Sequence, residues 1–147
     1  MNNIQLNAIF NKDKKTKSLY IGTFPFDKLP DKFNFPACFI INNQKSTEIG
    51  EHWLAVYFDS KKKCYFFDSF GMHPKFYGLN NYLKKKSTGI IYNKLQLQSF
   101  FTEYCGYYCV IFLLLKARKY SFDFIISQFK DPESNDNLIK KFLEKNE

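Results

Sequence analysis

Residues 52 to 71 read HWLAVYFDSKKKCYFFDSFG: two aromatic and β-branched runs, HWLAVYFD and KKCYFFDSF, on either side of the polar pair Ser60 and Lys61. Such side chains fill a pleated, half-buried surface, so the stretch predicts an antiparallel hairpin turning near residues 60 and 61. His52 then enters the first strand and Asp68 leaves the second, which puts both at the same end of the hairpin. Asp59 also ends a strand, but at the turn, away from His52. An imidazole and a carboxylate held side by side are the parts of a general base.

Working outward, ACFIIN at 37 to 42 is a short apolar run suited to a buried strand. The polar NNQKSTEIGE, with Gly50, predicts a surface loop carrying the chain to His52. SLYIGTF opens the folded part, and the Lys-rich stretch at 11 to 17 marks residues 1 to 18 as a flexible or peripheral segment. PFDKLPDKF reads as a turn or short helix between Pro25 and Pro30. HPKFYGLNNYLKKK predicts a helix with Pro74 in its first turn, despite Gly78, and GIIYNKLQLQ returns to strand character. The apolar stretch from Cys105 to Arg118 predicts a buried helix with Lys116, Arg118 and Lys119 at its basic end. SFDFIISQF and SNDNLIKKFLE predict two amphipathic helices, each opened by a capping-type residue. The reading is α+β, a central and mostly antiparallel sheet packed by helices, in one domain over 1 to 147.

Cys105 opens the buried helix, and that position carries chemistry. A free thiol with a pKa of about 8.5 is mostly protonated at neutral pH, whereas at a helix N-terminus the macrodipole and free N–H groups stabilise a thiolate. His52 as base, Asp68 as its orienting acid, Cys105 as nucleophile and a Gln as oxyanion donor make up a thiol hydrolase. Gly106 follows the cysteine. Gln98 competes with Gln96 for the donor role, since the alternation in LQLQ puts both on one strand face. Cys109, one turn further along, reads as core, and His73 before Pro74 reads as a surface or helix-start residue.

Composition bounds the function. The chain of 147 residues is 45% hydrophobic with 18 Phe and 10 Tyr, enough for a bulky core, so wholesale disorder is excluded. The nine-residue run YYCVIFLLL falls short of the ~20 needed to span a bilayer, and no membrane partner is expected. MNNIQLNAIFNKDKK lacks an apolar run and a cleavage site, so the four cysteines are expected to be free thiols in a reducing, intracellular compartment. Their spacing, with two histidines, gives no metal-site pattern. The net charge of +8 draws polyanions, leaving non-specific DNA open as a partner. Arg occurs only as Arg118, a bias of the kind AT-rich coding produces, so the lysine count by itself argues little. The runs Lys61 to Lys63 and Lys84 to Lys86 read as solvated turns and helix ends.

YIGTFPFDKLPDKF, ACFIINNQKSTEIGEHWLAVYFDSKKKCYFFDSFG, QSFFTEYCGYYCVIFLL and the closing NLIKKFLE together resemble the adenovirus maturation protease (adenain) family and its relatives in virophages and Polinton-type elements. The resemblance covers most of residues 19 to 115. It implies a papain-like cysteine endopeptidase in which His52 is the base, Asp68 orients it, Cys105 attacks, and Gln98 with the Cys105 backbone N–H forms the oxyanion hole. Trp53 then matches the family's residue that packs against the site, and position selects Gln98 over Gln96. Implied substrates are capsid and virion precursor polypeptides cut near small residues, often Gly, by a monomer acting in host cytoplasm, nucleus or viral factory and packaged in the virion. Two departures stand out. Asp68 replaces the adenovirus enzyme's Glu, and Ser87 to Tyr104 contains no cysteine, so no disulfide-linked peptide activator is expected. No cofactor is required by the sequence, with DNA or a non-covalent activating peptide left open. The same triad order also fits a protease removing ubiquitin- or SUMO-like modifiers. A non-enzymatic alternative is a basic DNA-binding packaging protein on a degenerate protease fold.

Overall fold

The hairpin forms, with β3 (Trp53–Phe58) and β4 (Lys63–Phe67) pairing antiparallel from Ala55↔Phe67 to Phe58↔Cys64. Asp59 closes its turn: the carboxylate accepts the N–H groups of Lys61 and Lys63, both at 2.9 Å. That bonding makes Asp59 a turn residue. The computed structural model describes residues 1–44 and 52–146, so most of the surface loop expected at 42 to 51 lies outside the described residues.

Around the hairpin the chain runs α1 (Asn3–Lys12), β1 (Tyr20–Pro25), β2 (Ala37–Asn42), β3, β4, a 3-10 turn (Pro74–Tyr77), α2 (Asn80–Lys86), β5 (Gly89–Tyr92), α3 (Cys105–Ala117), α4 (Phe122–Ser127) and α5 (Pro132–Lys145). The five strands form one sheet in sequence order. The α+β class stands, but the sheet is mixed. β2 and β4 flank β3 antiparallel, while β1·β2 and β4·β5 are parallel. The long connections before β2 and β5 permit those parallel edges, since a parallel pair needs a crossover.

Both faces of the sheet are covered, which explains why β2 and β3 are near-continuous apolar runs. Cys38, Ile40, Ala55, Tyr57 and Phe67 face α3, where Phe112 stacks on Phe67 with ring centroids 4.7 Å apart. Phe39, Ile41, Leu54, Val56, Phe58 and Phe66 face the opposite way, onto Leu79 and Leu83.

Several expectations need correction. Residues 1 to 18 are not peripheral: Asn2 and Gln5 form a capping box, and Leu6 and Phe10 are fully buried in the α3 face of the core. Asp13 meets Arg118 at 2.6 Å, joining the far end of α1 to the end of α3. The helix expected over 73 to 86 is two pieces, because Gly78 takes a left-handed conformation (φ 73°) that ends the 3-10 turn. The final helix is capped by Asp131, not Ser134, whose N–H Asp131 accepts at 2.9 Å. β5 stops at Tyr92, so LQLQ is not strand.

Candidate active site

His52 precedes β3 directly, and Asp68 follows β4 directly. The β3–β4 register, extended past its last pair, sets His52 opposite Phe70 and diagonal to Asp68. The two side chains meet there: His52 Nε2 lies 2.7 Å from Asp68 Oδ1, with both residues buried. Phe70 stacks on the imidazole at 4.3 Å and 8° between planes, fixing the ring's tilt.

The Asp68 carboxylate is held from four directions. Oδ1 also accepts Phe70 N–H at 3.0 Å, while Oδ2 accepts Met72 N–H at 3.1 Å and the Tyr77 hydroxyl at 2.5 Å. Burial first, and then the Asp68 charge, push the Tyr77 phenol's pKa well up, so it stays a proton donor. Asn93, at the end of β5, clamps the backbone of Asp68. Its Oδ1 accepts Asp68 N–H at 3.0 Å, and its Nδ2 donates to Asp68 C=O at 2.6 Å.

With His52 Nε2 committed to Asp68, Nδ1 is the ring atom left for Cys105, whose side chain hydrogen-bonds to His52. Burial by itself would lower the imidazole pKa, but Asp68 and Cys105 together outweigh it and raise it to about 9. Burial would likewise raise the thiol. The His52 hydrogen bond and charge, with the backbone N–H groups of Trp53 and Gly106, outweigh burial and lower it. The favoured pair is therefore thiolate and imidazolium. No side chain caps α3, whose N-cap is Tyr104, so its first N–H groups stay open toward Cys105. Gly106 sits in a tight space: a Cβ there would lie 3.1 Å from Met1 Cβ and 3.4 Å from Trp53 Cδ1, so these neighbours would have to give by a few tenths of an ångström. Trp53 itself donates its indole N–H to the Met1 carbonyl at 2.9 Å.

Gln98 is fully buried beside the acid loop, with its amide bonds running to Ser69 and Thr102. Ser69 Oγ donates to Oε1 at 2.6 Å, and Nε2 donates to Thr102 C=O at 2.9 Å and Oγ1 at 3.1 Å. A carbonyl only accepts, so this pattern fixes which end of the amide is nitrogen. Both acceptors of Nε2 belong to Thr102. Gln96 is a bystander whose side chain donates to the Gln98 carbonyl at 2.9 Å. Leu97 and Gln98 N–H groups both donate to Ser69 C=O, at 2.8 and 3.0 Å, which locks this segment to the acid loop. The approach is close enough to demand Gly71 (φ 74°), where a Cβ would fall 2.6 Å from the Leu95 carbonyl.

The remaining candidates lie elsewhere. Cys109 is buried, and its thiol donates to Trp53 C=O at 3.3 Å. Burial first, then the Cys105 and Asp68 charges, raise its pKa well above an ordinary thiol's. His73 caps the 3-10 turn, its Nδ1 accepting Lys75 N–H at 3.0 Å. Lys62, Lys85 and Lys86 meet at the turn end of the hairpin, around a cavity of about 330 Å³ that they share with Phe33 and Phe35. Among the described residues no group of three or more His, Cys, Asp or Glu side chains is arranged to hold a metal ion.

No protein-family profile and no curated protein matches the chain. Among solved structures it is similar to the selenomethionine crystal structure of the ASFV pS273R protease. The TM-score is 0.49 at 22% identity, over 65% of this chain and 40% of that one. The chain thus spans less than half the length of that protein.

Three residues at the site carry no sequence signal of their own. Tyr77, Asn93 and Ser69 are single polar residues in turns and strand ends, and only the tertiary fold aims them at Asp68 and Gln98.

Proposed function

We propose that this protein is a cysteine endopeptidase that processes capsid and virion precursor proteins during particle maturation. The observation that carries the chemistry is the buried relay from Asp68 through His52 to Cys105 at the open N-terminus of α3. In this reading the Cys105 thiolate attacks the scissile carbonyl and His52, already protonated, delivers its proton to the leaving amine. Asp68 holds the imidazole by Nε2 so that Nδ1 faces the reaction. The tetrahedral oxyanion is received by the Cys105 N–H and by the Gln98 side-chain amide. Water, deprotonated by His52, then releases the acyl group.

The resemblance of residues 19 to 115 to the adenovirus maturation protease family supports the precursor substrates, and with them a site of action in the infected cell and the particle. The test is co-expression with the capsid precursor beside a panel of ubiquitin- and SUMO-like conjugates. Precursor cleavage by the wild type and not by Cys105→Ala is expected. Equal processing by both, or cleavage of the conjugates alone, contradicts the proposal.

A further inference from the structure

The segment carrying Gln98, from Lys94 to Tyr104, belongs to no helix or strand, yet Gln98 is fully buried in a fixed orientation. Besides its bonds to Ser69, its anchors come from α5, at the other end of the chain. Asn135 Nδ2 donates to Leu97 C=O at 2.9 Å, and Asn135 is itself held by Lys130 N–H on its Oδ1 at 2.8 Å. Asp136 is buried and accepts three donors. Oδ2 takes Ser99 N–H at 3.0 Å and lies 3.3 Å from Thr102 Oγ1, while Oδ1 takes the Tyr108 hydroxyl at 2.6 Å. A buried carboxylate is tolerated only when its acceptors are filled, and here every donor comes from α3 or from the Gln98 segment.

The connectivity has a direction. Thr102 Oγ1 has one proton, shared between Asp136 Oδ2 and Ser99 C=O, both at 3.3 Å. Giving that proton away turns the hydroxyl's lone pairs toward Gln98 Nε2, 3.1 Å distant. Tyr108 lies three residues after Cys105 on α3. One carboxylate therefore references both groups assigned to the oxyanion hole, the start of α3 on one side and the Gln98 amide on the other.

We infer that Asp136 is a positioning residue for oxyanion stabilisation, making α5 a working part of the site. This rests on the peptidase reading for the role of Gln98. It does not touch the thiolate–imidazolium pair, so the two can be separated by experiment.

The full chain is compared as wild type, Asp136→Ala, Asp136→Asn, Gln98→Ala and the Gln98→Ala/Asp136→Ala double variant. Hydrolysis of a fluorogenic peptide, affinity for a peptide aldehyde, Cys105 alkylation by iodoacetamide against pH, and hydrogen exchange over residues 96 to 103 are measured. Asp136→Ala is expected to lower kcat by up to about 100-fold with KM within about twofold. Aldehyde affinity should fall in step, while the alkylation profile keeps its position. The double variant should be no slower than Gln98→Ala alone. Asp136→Asn should recover most of the rate, since its oxygen can take Ser99 N–H while its NH₂ donates to the Tyr108 oxygen. Multiplying losses in the double variant, an alkylation profile that shifts with kcat, or no rescue by Asn overturns the inference. A wild type that neither hydrolyses peptides nor binds the aldehyde defeats the peptidase reading. In that case the oxyanion role of Asp136 is overturned with it, and faster exchange confined to residues 97 to 102 in Asp136→Ala shows only that Asp136 holds the Gln98 segment in place.

Discussion

Cys105 and Cys109 occupy successive turns of α3, and both are buried, yet their thiols are driven in opposite directions. Burial raises both, so burial does not distinguish them. The difference comes first from His52, whose hydrogen bond and charge reach Cys105, and then from the backbone at the start of β3. Trp53 turns its N–H toward Cys105, where it favours the thiolate, and its C=O toward Cys109, where it favours the protonated thiol. At Cys109 no imidazole offsets burial, and the Cys105 and Asp68 charges raise the thiol further. A reactive cysteine and an inert one are thus separated by reach to the imidazole, and secondarily by whether a backbone N–H or C=O faces the sulfur.

The largest expected effect removes the first cysteine. Cys105→Ala should cut peptide hydrolysis by about 10⁴-fold or more, whereas Cys109→Ala should leave kcat/KM within about threefold. Urea unfolding should instead show Cys109→Ala less stable by about 1–2 kcal/mol through the small cavity it leaves. Comparable activity losses in both variants would erase the contrast.

Next comes the charge behind His52. Its pKa stands near 9 because Asp68 and Cys105 outweigh burial, and the Cys105 pKa is lowered. The ionic pair therefore exists between those two values. The kcat/KM profile should rise on its acid side with Cys105 ionisation and fall near pH 9 as His52 loses its proton. Asp68→Asn should lower kcat/KM by about 10²–10⁴-fold and move the alkaline limb down. An unmoved limb would show that Asp68 does not set the imidazole.

Smaller effects sharpen the support around the pair. Gly71→Ala places a Cβ against the Leu95 carbonyl at a left-handed φ, and should cost about 1–3 kcal/mol in unfolding experiments. Tyr77→Phe removes one of four hydrogen bonds to Asp68, and should lower kcat/KM about tenfold or less while the protein stays folded.

The hairpin, β2 and α3 were legible in the sequence because each has a strong local pattern: alternation about a turn, a short apolar run, a long apolar helix. The juxtaposition of His52 and Asp68 follows from strand geometry alone. LQLQ misled for a physical reason. Four residues of alternation suit a strand equally well when no strand is present to pair, and here the backbone bonds go to Ser69. Residues 1 to 18 misled because the lysines at 12 to 17 obscured Leu6 and Phe10, an i, i+4 pair that needs α3 before it becomes a core contact. Tyr77, Asn93 and Asp136 were not legible, since a lone polar residue acquires its partner only from the tertiary fold.

Thiol titration by alkylation tests the difference between the two cysteines most directly. Native protein is pulsed with iodoacetamide from pH 5 to 10, and each cysteine's modification is read by peptide mass spectrometry. Cys105 should react with an apparent pKa below the ordinary thiol value of about 8.5, while Cys38, Cys64 and Cys109 stay unmodified until the protein unfolds. A Cys105 that titrates at or above that value, or reacts no faster than Cys109, would contradict the thiolate–imidazolium pair.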